Sequence, residues 1–245
     1  MIDVAFTRHG LRDADVAVVI DVLRASTTAV SALAAGYERI IFVDSVQRAL
    51  ASRKTGRIIA GERNCKKPAG FHQGNSPTEA AECRGKELVL ATTNGAPTAI
   101  AATRRADTVL LACLLNLEAV VAALRPVRAD IALVCSGTNG AAALEDAYVA
   151  GRIAAGLGEP LTDAARIAVA VAASYGSPLE ALAASTDAAA LRRAGMEADI
   201  HACARESVVE LVPVVTANAD GTTTATATAA VERASGDRTA AGAAA

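Results

Sequence analysis

The chain has 245 residues, enough for one large domain or two small ones that share a core. With 24 Lys and Arg against 26 Asp and Glu its net charge is −2, which excludes the basic footprint of a nucleic-acid binder and the acidic excess of a solvating disordered chain. Hydrophobic residues make up 52% but aromatics only 2%, so the core must be Ala, Val, Leu and Ile, and aromatic faces are too few for a single-strand stacking platform.

Taken in chain order, two kinds of segment alternate. Short Val/Ile/Leu runs predict strands at Val16–Leu23, Arg39–Val43, Arg57–Ala60, Leu88–Ala91, Val109–Cys113 and Asp130–Cys135. Ala-rich stretches between most of them predict helices at Thr27–Ala35, Val46–Ser52, Pro97–Arg104, Leu117–Leu124 and Ala142–Leu157. Such alternation gives an α/β fold, a largely parallel or mixed sheet covered by helices; a duplication into two similar subdomains stays open. Right-handed crossovers set strand ends and helix starts along one rim, where open α/β sheets bind ligands. The stretch Asn64–Pro77 is too long for an ordinary connection and reads as a functional loop. Thr162–Ala194 reads as helices, Leu211–Val215 as a late strand, Asn218–Gly221 as a turn and Thr222–Ala227 as an edge strand. Residues 1–231 are expected to form one domain, and the Ala, Gly, Ser, Thr and Arg composition of 232–245 predicts a disordered tail.

The five cysteines, Cys65, Cys83, Cys113, Cys135 and Cys203, are odd in number, widely spaced and without a C-x-x-C pair. That argues against a tetrahedral zinc site and for a reducing, cytoplasmic setting. No leader-like N-terminus and no charge-free apolar run of about 20 residues is present, so neither export nor a membrane span is expected. The Ala-rich helices can cover the sheet or pack against a second copy, which leaves a homodimer open.

Polar residues gather after the strands. In Ile20-Asp21-Val22-Leu23-Arg24-Ala25-Ser26-Thr27, a carboxylate near a buried strand end needs a cation, an Arg or backbone N–H groups as partner. Ser26 and Thr27 fall at a helix start, where free N–H groups favour an anion. A purely structural alternative makes Ser26 an N-cap and Asp21–Arg24 an ion pair. Gly61-Glu62-Arg63, Thr92-Thr93-Asn94-Gly95 and Ser136-Gly137-Thr138-Asn139-Gly140 also follow strands, and Glu145-Asp146 opens a helix. Turn nests with hydroxyls suit phosphate oxygens, and Asp21, Glu145 and Asp146 are hard oxygen ligands suited to Mg²⁺. Equally, the Glu145-Asp146 pair can stabilise a helix dipole with no ligand. Gly74-Asn75-Ser76-Pro77 closes the irregular loop as a plain turn or as an anion-binding lip, with Lys66 and Lys67 raising the local potential.

Several signatures are absent. There is no G-x-x-x-x-G-K-[ST]. The residue two after Asp21 is Leu23, not a second Asp, and six after Cys135 comes Ala141, not the Arg of a cysteine phosphatase. Thr7-Arg8-His9-Gly10 resembles the Arg-His-Gly motif of histidine phosphatases, with His72 and His201 as the only other histidines and His201 at an expected strand end.

In order, these clusters resemble the 2-phosphosulfolactate phosphatase family. The specific strings are Val19-Ile20-Asp21-Val22-Leu23-Arg24-Ala25-Ser26-Thr27, Gly74-Asn75-Ser76-Pro77 and Thr92-Thr93-Asn94-Gly95, supported by Gly61-Glu62-Arg63, by Glu145-Asp146 with Gly151, and more faintly by Asn116, Asp163, Gly195, Asp199-Ile200 and Cys203. The resemblance covers about Val16 to Val215. It implies a three-layer α/β/α fold and Mg²⁺-dependent hydrolysis of phosphate esters of 2-hydroxy acids, with 2-phosphosulfolactate, an intermediate towards coenzyme M, as reference substrate. The family often has Gly-Phe-Asp where this chain has Gly70-Phe71-His72, which bears on specificity.

Together the two arguments give an expected site. Asp21, Glu145 and Asp146 hold Mg²⁺, which bridges to the phosphate. Arg24, Ser26–Thr27 and Thr92–Gly95 hold its other oxygens, and Arg63 and Asn75, with Ser76 beside it, face the substrate's carboxylate or sulfonate. Glu62 and Glu79 are spare metal candidates. The nucleophile is metal-activated water or Asp21 itself. The rival readings are a non-catalytic sensor of a small phosphorylated acid and a histidine-phosphatase-like enzyme using His9.

Overall fold

Every apolar run read as a strand forms one, and all of them join a single sheet. The computed structural model describes residues 1–158 and 160–228, so the expected tail lies outside the described residues. The strands are β1 (Ile2–Ala5), β2 (Ala14–Ile20), β3 (Arg39–Val43), β4 (Arg57–Gly61), β5 (Glu87–Ala91), β6 (Ala106–Ala112), β7 (Ile131–Cys135), β8 (Val212–Ala217) and β9 (Thr223–Thr228), in the order β1-β7-β2-β6-β8-β9-β3-β5-β4.

Four strands, β1, β7, β2 and β6, form one parallel block, and β3, β5 and β4 form another. The β8–β9 hairpin joins them through three antiparallel pairings, so the blocks run in opposite senses across it. A flat sheet would then put their carboxyl ends on opposite rims. Instead both blocks pack on the same helices, α1 (Ala25–Ala34) and α4 (Gly95–Ala102): Val19, Val109 and Leu111 of one and Ile40, Leu88 and Leu90 of the other share a core with Ala29, Ala32, Ala96 and Ala99. The twist inherent to strands thus folds the sheet around these two helices. The turns after β2, β4, β5 and β7 meet as a result.

The other face of the first block is covered by α5 (Leu117–Leu124), α6 (Leu144–Leu157) and α7 (Asp163–Ala173), which bury Val18, Ile20, Leu110 and Leu133. Each such fully buried aliphatic side chain contributes about 1.5–3 kcal/mol. A Cβ at Gly151 of α6 would lie 2.0 Å from the Ala168 carbonyl oxygen, so glycine is what lets α6 and α7 approach. A smaller core of Val43, Ile59, Phe71 and Val89 lies under α2 (Val46–Ala51). Further helices are α3 (Pro77–Ala80), α8 (Pro178–Ala183), α9 (Thr186–Arg193) and α10 (Glu197–Cys203).

Two expectations are corrected. The Thr-rich segment read as an edge strand is interior, paired with both β8 and β3; the edges are β1 and β4. Its threonines misled because only one face is covered: Thr223 and Ala225 are buried and Thr226 is exposed. Asp199-Ile200 is not a strand end but part of α10, which turns Asp199, Ile200 and Cys203 inward.

Candidate active site

The converging turns enclose a cavity of about 400 Å³. Its wall includes Asp21 and Arg24 after β2, Glu62 after β4, Asn75 from the irregular loop, Thr92–Asn94 after β5, Thr138 and Asn139 after β7, and Asp187 and Arg193 of α9. A larger groove of about 810 Å³ at the amino ends of β1 and β7 is lined by Met1, Arg125, Arg128 and Asp130 and gathers none of these groups.

Asp21 follows β2 directly, in the turn before α1. Its Oδ1 accepts the Ala25 N–H at 2.7 Å, so the carboxylate caps the helix. Among the described residues Oδ2 has no hydrogen-bond donor, and a Cβ at Gly95 would lie 2.5 Å from it. Burial, foremost, pushes the Asp21 carboxyl up to about 7; Asp187 and Glu62 add to the rise, and the Ala25 N–H and Arg24 oppose it.

Arg24, after a cis Leu23–Arg24 peptide, is buried. Its guanidinium pairs with Asp199 at 2.5 Å and also reaches the Met196 sulfur and the Cys65 carbonyl. The other Asp199 oxygen accepts from Ser76 Oγ at 2.7 Å and Thr78 Oγ1 at 3.2 Å. The structural alternative for this turn is therefore corrected twice: Asp21, not Ser26, caps the helix, and Arg24 pairs with Asp199, not Asp21. Ser26 Oγ accepts the Asp21 N–H and Thr27 Oγ1 donates to the Val22 carbonyl. Both are buried behind the turn and line none of the cavity.

Asp146 is tied from both sides. Its Oδ1 accepts the Val22 N–H at 2.9 Å and its Oδ2 the Gly137 N–H at 3.0 Å, which locks the ends of β2 and β7 together. Glu145 is buried, and its Oε2 has no hydrogen-bond partner among the described residues. Burial first, then neighbouring carboxylates, raise both acids well above the usual range. The Asp187 carboxyl lies beside Glu145, accepts from the Thr138 hydroxyl and reaches the cavity.

Thr92 Oγ1 accepts the Ala96 N–H at 2.9 Å, capping α4, while Asn94 Oδ1 accepts the Asn139 N–H at 3.4 Å. Thr93 Oγ1 and Asn75 Oδ1 are buried without partners among the described residues, at the cavity wall. Such orphaned polar atoms are costly unless a ligand or water meets them. Glu62 accepts the Thr93 N–H at 2.8 Å and the Cys65 N–H at 3.1 Å, binding two turns together.

Other expected residues lie elsewhere. Arg63 donates to the carbonyls of Glu62, Ala91 and Asp44 and is outside the cavity wall. Glu79 accepts the Gly74 N–H on its carboxylate, and Ser76 Oγ caps α3 by accepting the Glu79 N–H. His72 Nδ1 accepts the Ile59 N–H at 2.8 Å, covering edge strand β4. His9 and His201 are exposed and line none of the cavity, which removes the histidine-phosphatase geometry. Asp187 and Arg193 are charged wall residues that the sequence did not single out; a lone Asp in the first turn of an Ala-rich helix reads only as a dipole partner.

Among the described residues no three Asp, Glu, His or Cys side chains converge as a ready cage for an ion. Mg²⁺ does not need one: it keeps waters and takes one or two carboxylates plus phosphate. The open Oδ2 of Asp21 fits that demand, and Asp187 lines the same cavity, whereas the expected ligands Glu145 and Asp146 are buried and line none of it.

The sequence profile described as 2-phosphosulpholactate phosphatase matches residues 5–218. A Thermus thermophilus protein named probable 2-phosphosulfolactate phosphatase is 43% identical over 209 residues, covering 82% of this chain and 88% of its own. A protein of the same name from Thermotoga petrophila is 40% identical over 219 residues, 88% and 95% of the two chains. A Methanothermobacter thermautotrophicus protein named 2-phosphosulfolactate phosphatase is 33% identical over 197 residues, 80% and 85%. The chain belongs to the 2-phosphosulfolactate phosphatase family.

Proposed function

We propose that this protein hydrolyses the phosphate ester of a small 2-hydroxy acid, 2-phosphosulfolactate, to sulfolactate and phosphate in the cytoplasm, with Mg²⁺ as cofactor. The observation that carries this reading is the open carboxylate oxygen of Asp21, set in one cavity wall with the unpartnered Asn75 and Thr93. Phosphoryl transfer asks the protein mainly for positioning and charge neutralisation. In the reaction the bond from phosphorus to the C2 oxygen breaks, water oxygen bonds to phosphorus, and the leaving alkoxide takes a proton.

Asp21, with Asp187 on the same wall, would hold Mg²⁺, which when bound would supply charge neutralisation at the phosphate. Asn75 and Thr93 offer hydrogen bonds to phosphate oxygens, and Arg24 lines the same wall. Asp146, with both oxygens on backbone N–H groups, holds the two turns in place and does not face the substrate. Asp21 either attacks phosphorus, giving an aspartyl phosphate that water cleaves, or orients the attacking water. Hydroxylamine separates these, because only an aspartyl phosphate yields a hydroxamate at Asp21. A non-catalytic sensor would have no use for several buried acids around one cavity. The reaction supplies the sulfolactate step towards coenzyme M. The test is phosphate release from 2-phosphosulfolactate, 2-phospholactate and phosphoglycolate, with Mg²⁺ and with EDTA. Release that needs Mg²⁺ and favours 2-phosphosulfolactate supports the proposal. Binding of all three without release would favour the sensor.

A further inference from the structure

The cavity wall holds three cations, Arg24, Lys66 and Arg193, and three acids, Asp21, Glu62 and Asp187. Arg24 is held by Asp199, and both Glu62 oxygens accept backbone N–H groups. Lys66 and Arg193 differ: among the described residues neither side chain makes a hydrogen bond or ion pair. Both sit on firm supports. Lys66 ends the tight turn Arg63–Lys66, in which Asn64 and Cys65 have φ of 53° and 65° and the Arg63 and Lys66 backbones bond to each other. Glu62 grips that turn through the Cys65 N–H, and Arg24 through the Cys65 carbonyl. Arg193 closes α9, where a cation is favoured by the helix dipole. Arg24, Glu62, Asp187 and Arg193 all act on the Cys65 thiol, which also lines the cavity, so these charges surround the same turn. The wall therefore carries two exposed cations, Lys66 and Arg193, that have no side-chain partner among the described residues.

Lys66 and Arg193 line the same cavity as Asp21, so a substrate whose phosphate sits at Asp21 can meet them with a second group. We propose that Lys66 and Arg193 are specificity-determining residues that bind the substrate's second anionic group, its sulfonate or carboxylate. This rests on the proposed function, and it moves the role expected for Arg63 onto two cations that line the cavity. A hydrogen-bonded charge contact of this kind supports about a tenfold to hundredfold preference.

The test compares kcat/KM for 2-phosphosulfolactate, 2-phospholactate and isopropyl phosphate, which has no second anion. It uses wild type, Arg193→Ala, Lys66→Ala, the double variant, Arg193→Lys and, as a charge control, Arg192→Ala, whose side chain pairs with Glu197 outside the cavity. The preference for 2-phosphosulfolactate over isopropyl phosphate is expected to fall about tenfold in each alanine variant and further in the double. Arg193→Lys should restore most of it, and Arg192→Ala should leave it unchanged. The loss for 2-phospholactate tells whether carboxylate or sulfonate is the contact. An unchanged preference in the double variant overturns the proposal, as does an equal fall in Arg192→Ala. If wild type hydrolyses none of the three, the proposed function fails by itself. Sulfolactate binding by calorimetry then decides: a Kd weakened about tenfold in Arg193→Ala sustains the anion site, and an unchanged Kd ends it.

Discussion

Arg24, at the exit of β2, and Asp199, on α10, form a buried ion pair at 2.5 Å although 175 positions separate them in the chain. Asp199 also accepts from Ser76 and Thr78, so one carboxylate joins the β2–α1 turn, the start of α3 and α10. Removing it strands a buried guanidinium, which costs about 3–5 kcal/mol. Asp199→Ala should therefore lower unfolding stability by that amount in urea titrations, with a smaller loss in Asp199→Asn. A loss below about 1 kcal/mol, the range of exposed pairs, would show that the pair is not buried in solution.

Gly95 is held to glycine by contact, not by φ. A Cβ there would lie 2.4 Å from the Ala25 Cβ and 2.5 Å from Asp21 Oδ2. Gly95→Ala must displace Asp21 or the start of α1, and a displacement of about 1 Å in a catalytic site can cost roughly a hundredfold in rate. Turnover should fall at least tenfold, a loss of about 1.4 kcal/mol in transition-state stabilisation. Full activity in a folded Gly95→Ala protein would contradict the role given to Asp21.

Asp146 accepts one backbone N–H on each oxygen. In Asp146→Asn one of those N–H groups meets an NH₂ donor, and an unsatisfied buried donor costs about 1–3 kcal/mol. The expected result is that loss of stability in chemical denaturation, with activity reduced because the ends of β2 and β7 separate. Wild-type stability would mean that the carboxylate is not a strut.

Asp21 fixes a pH dependence. In the unfolded chain it ionises near the ordinary value of about 3.9, and in the folded chain burial raises it to about 7. Between these values the folded state holds a proton that the unfolded state has lost. Stability of the metal-free protein therefore falls as pH rises through that window and levels off above it. Glu145 and Asp146 are shifted in the same direction. Mg²⁺ favours the ionised carboxylates, so its stabilisation, read as a rise in Tm, should be larger at pH 8 than at pH 5.5. An equal rise at both would separate the metal from these acids.

Much of this was legible in the sequence, for physical reasons that differ by element. The strands β3 and β5 announced themselves as short apolar runs, and Leu117–Leu124 matches α5 residue for residue. Asp21, Arg24 and Thr92–Asn94 were readable because polar residues at strand exits stand out against an Ala-rich background, and Asn75 because it closes an unusually long loop; all line the cavity. The opposed sense of the two blocks was not readable. It depends on β9 inserting between β8 and β3, a pairing of residues far apart in the chain that no local pattern encodes. Asp187 and Arg193 escaped notice for the same reason: α9 reads as an ordinary helix, and only its packing brings it over the cavity. Arg63 misled in the opposite way. Its side chain sits beside the site in sequence but satisfies backbone carbonyls of neighbouring turns.

The proposed function assigns catalysis to Asp21 and not to the Arg8-His9-Gly10 motif. The most direct measurement is phosphate release from 2-phosphosulfolactate by wild type, Asp21→Ala and His9→Ala, each with Mg²⁺ and with EDTA. Release is expected to require Mg²⁺, to vanish in Asp21→Ala and to persist in His9→Ala. Release that survives EDTA and Asp21→Ala but is lost in His9→Ala would contradict it.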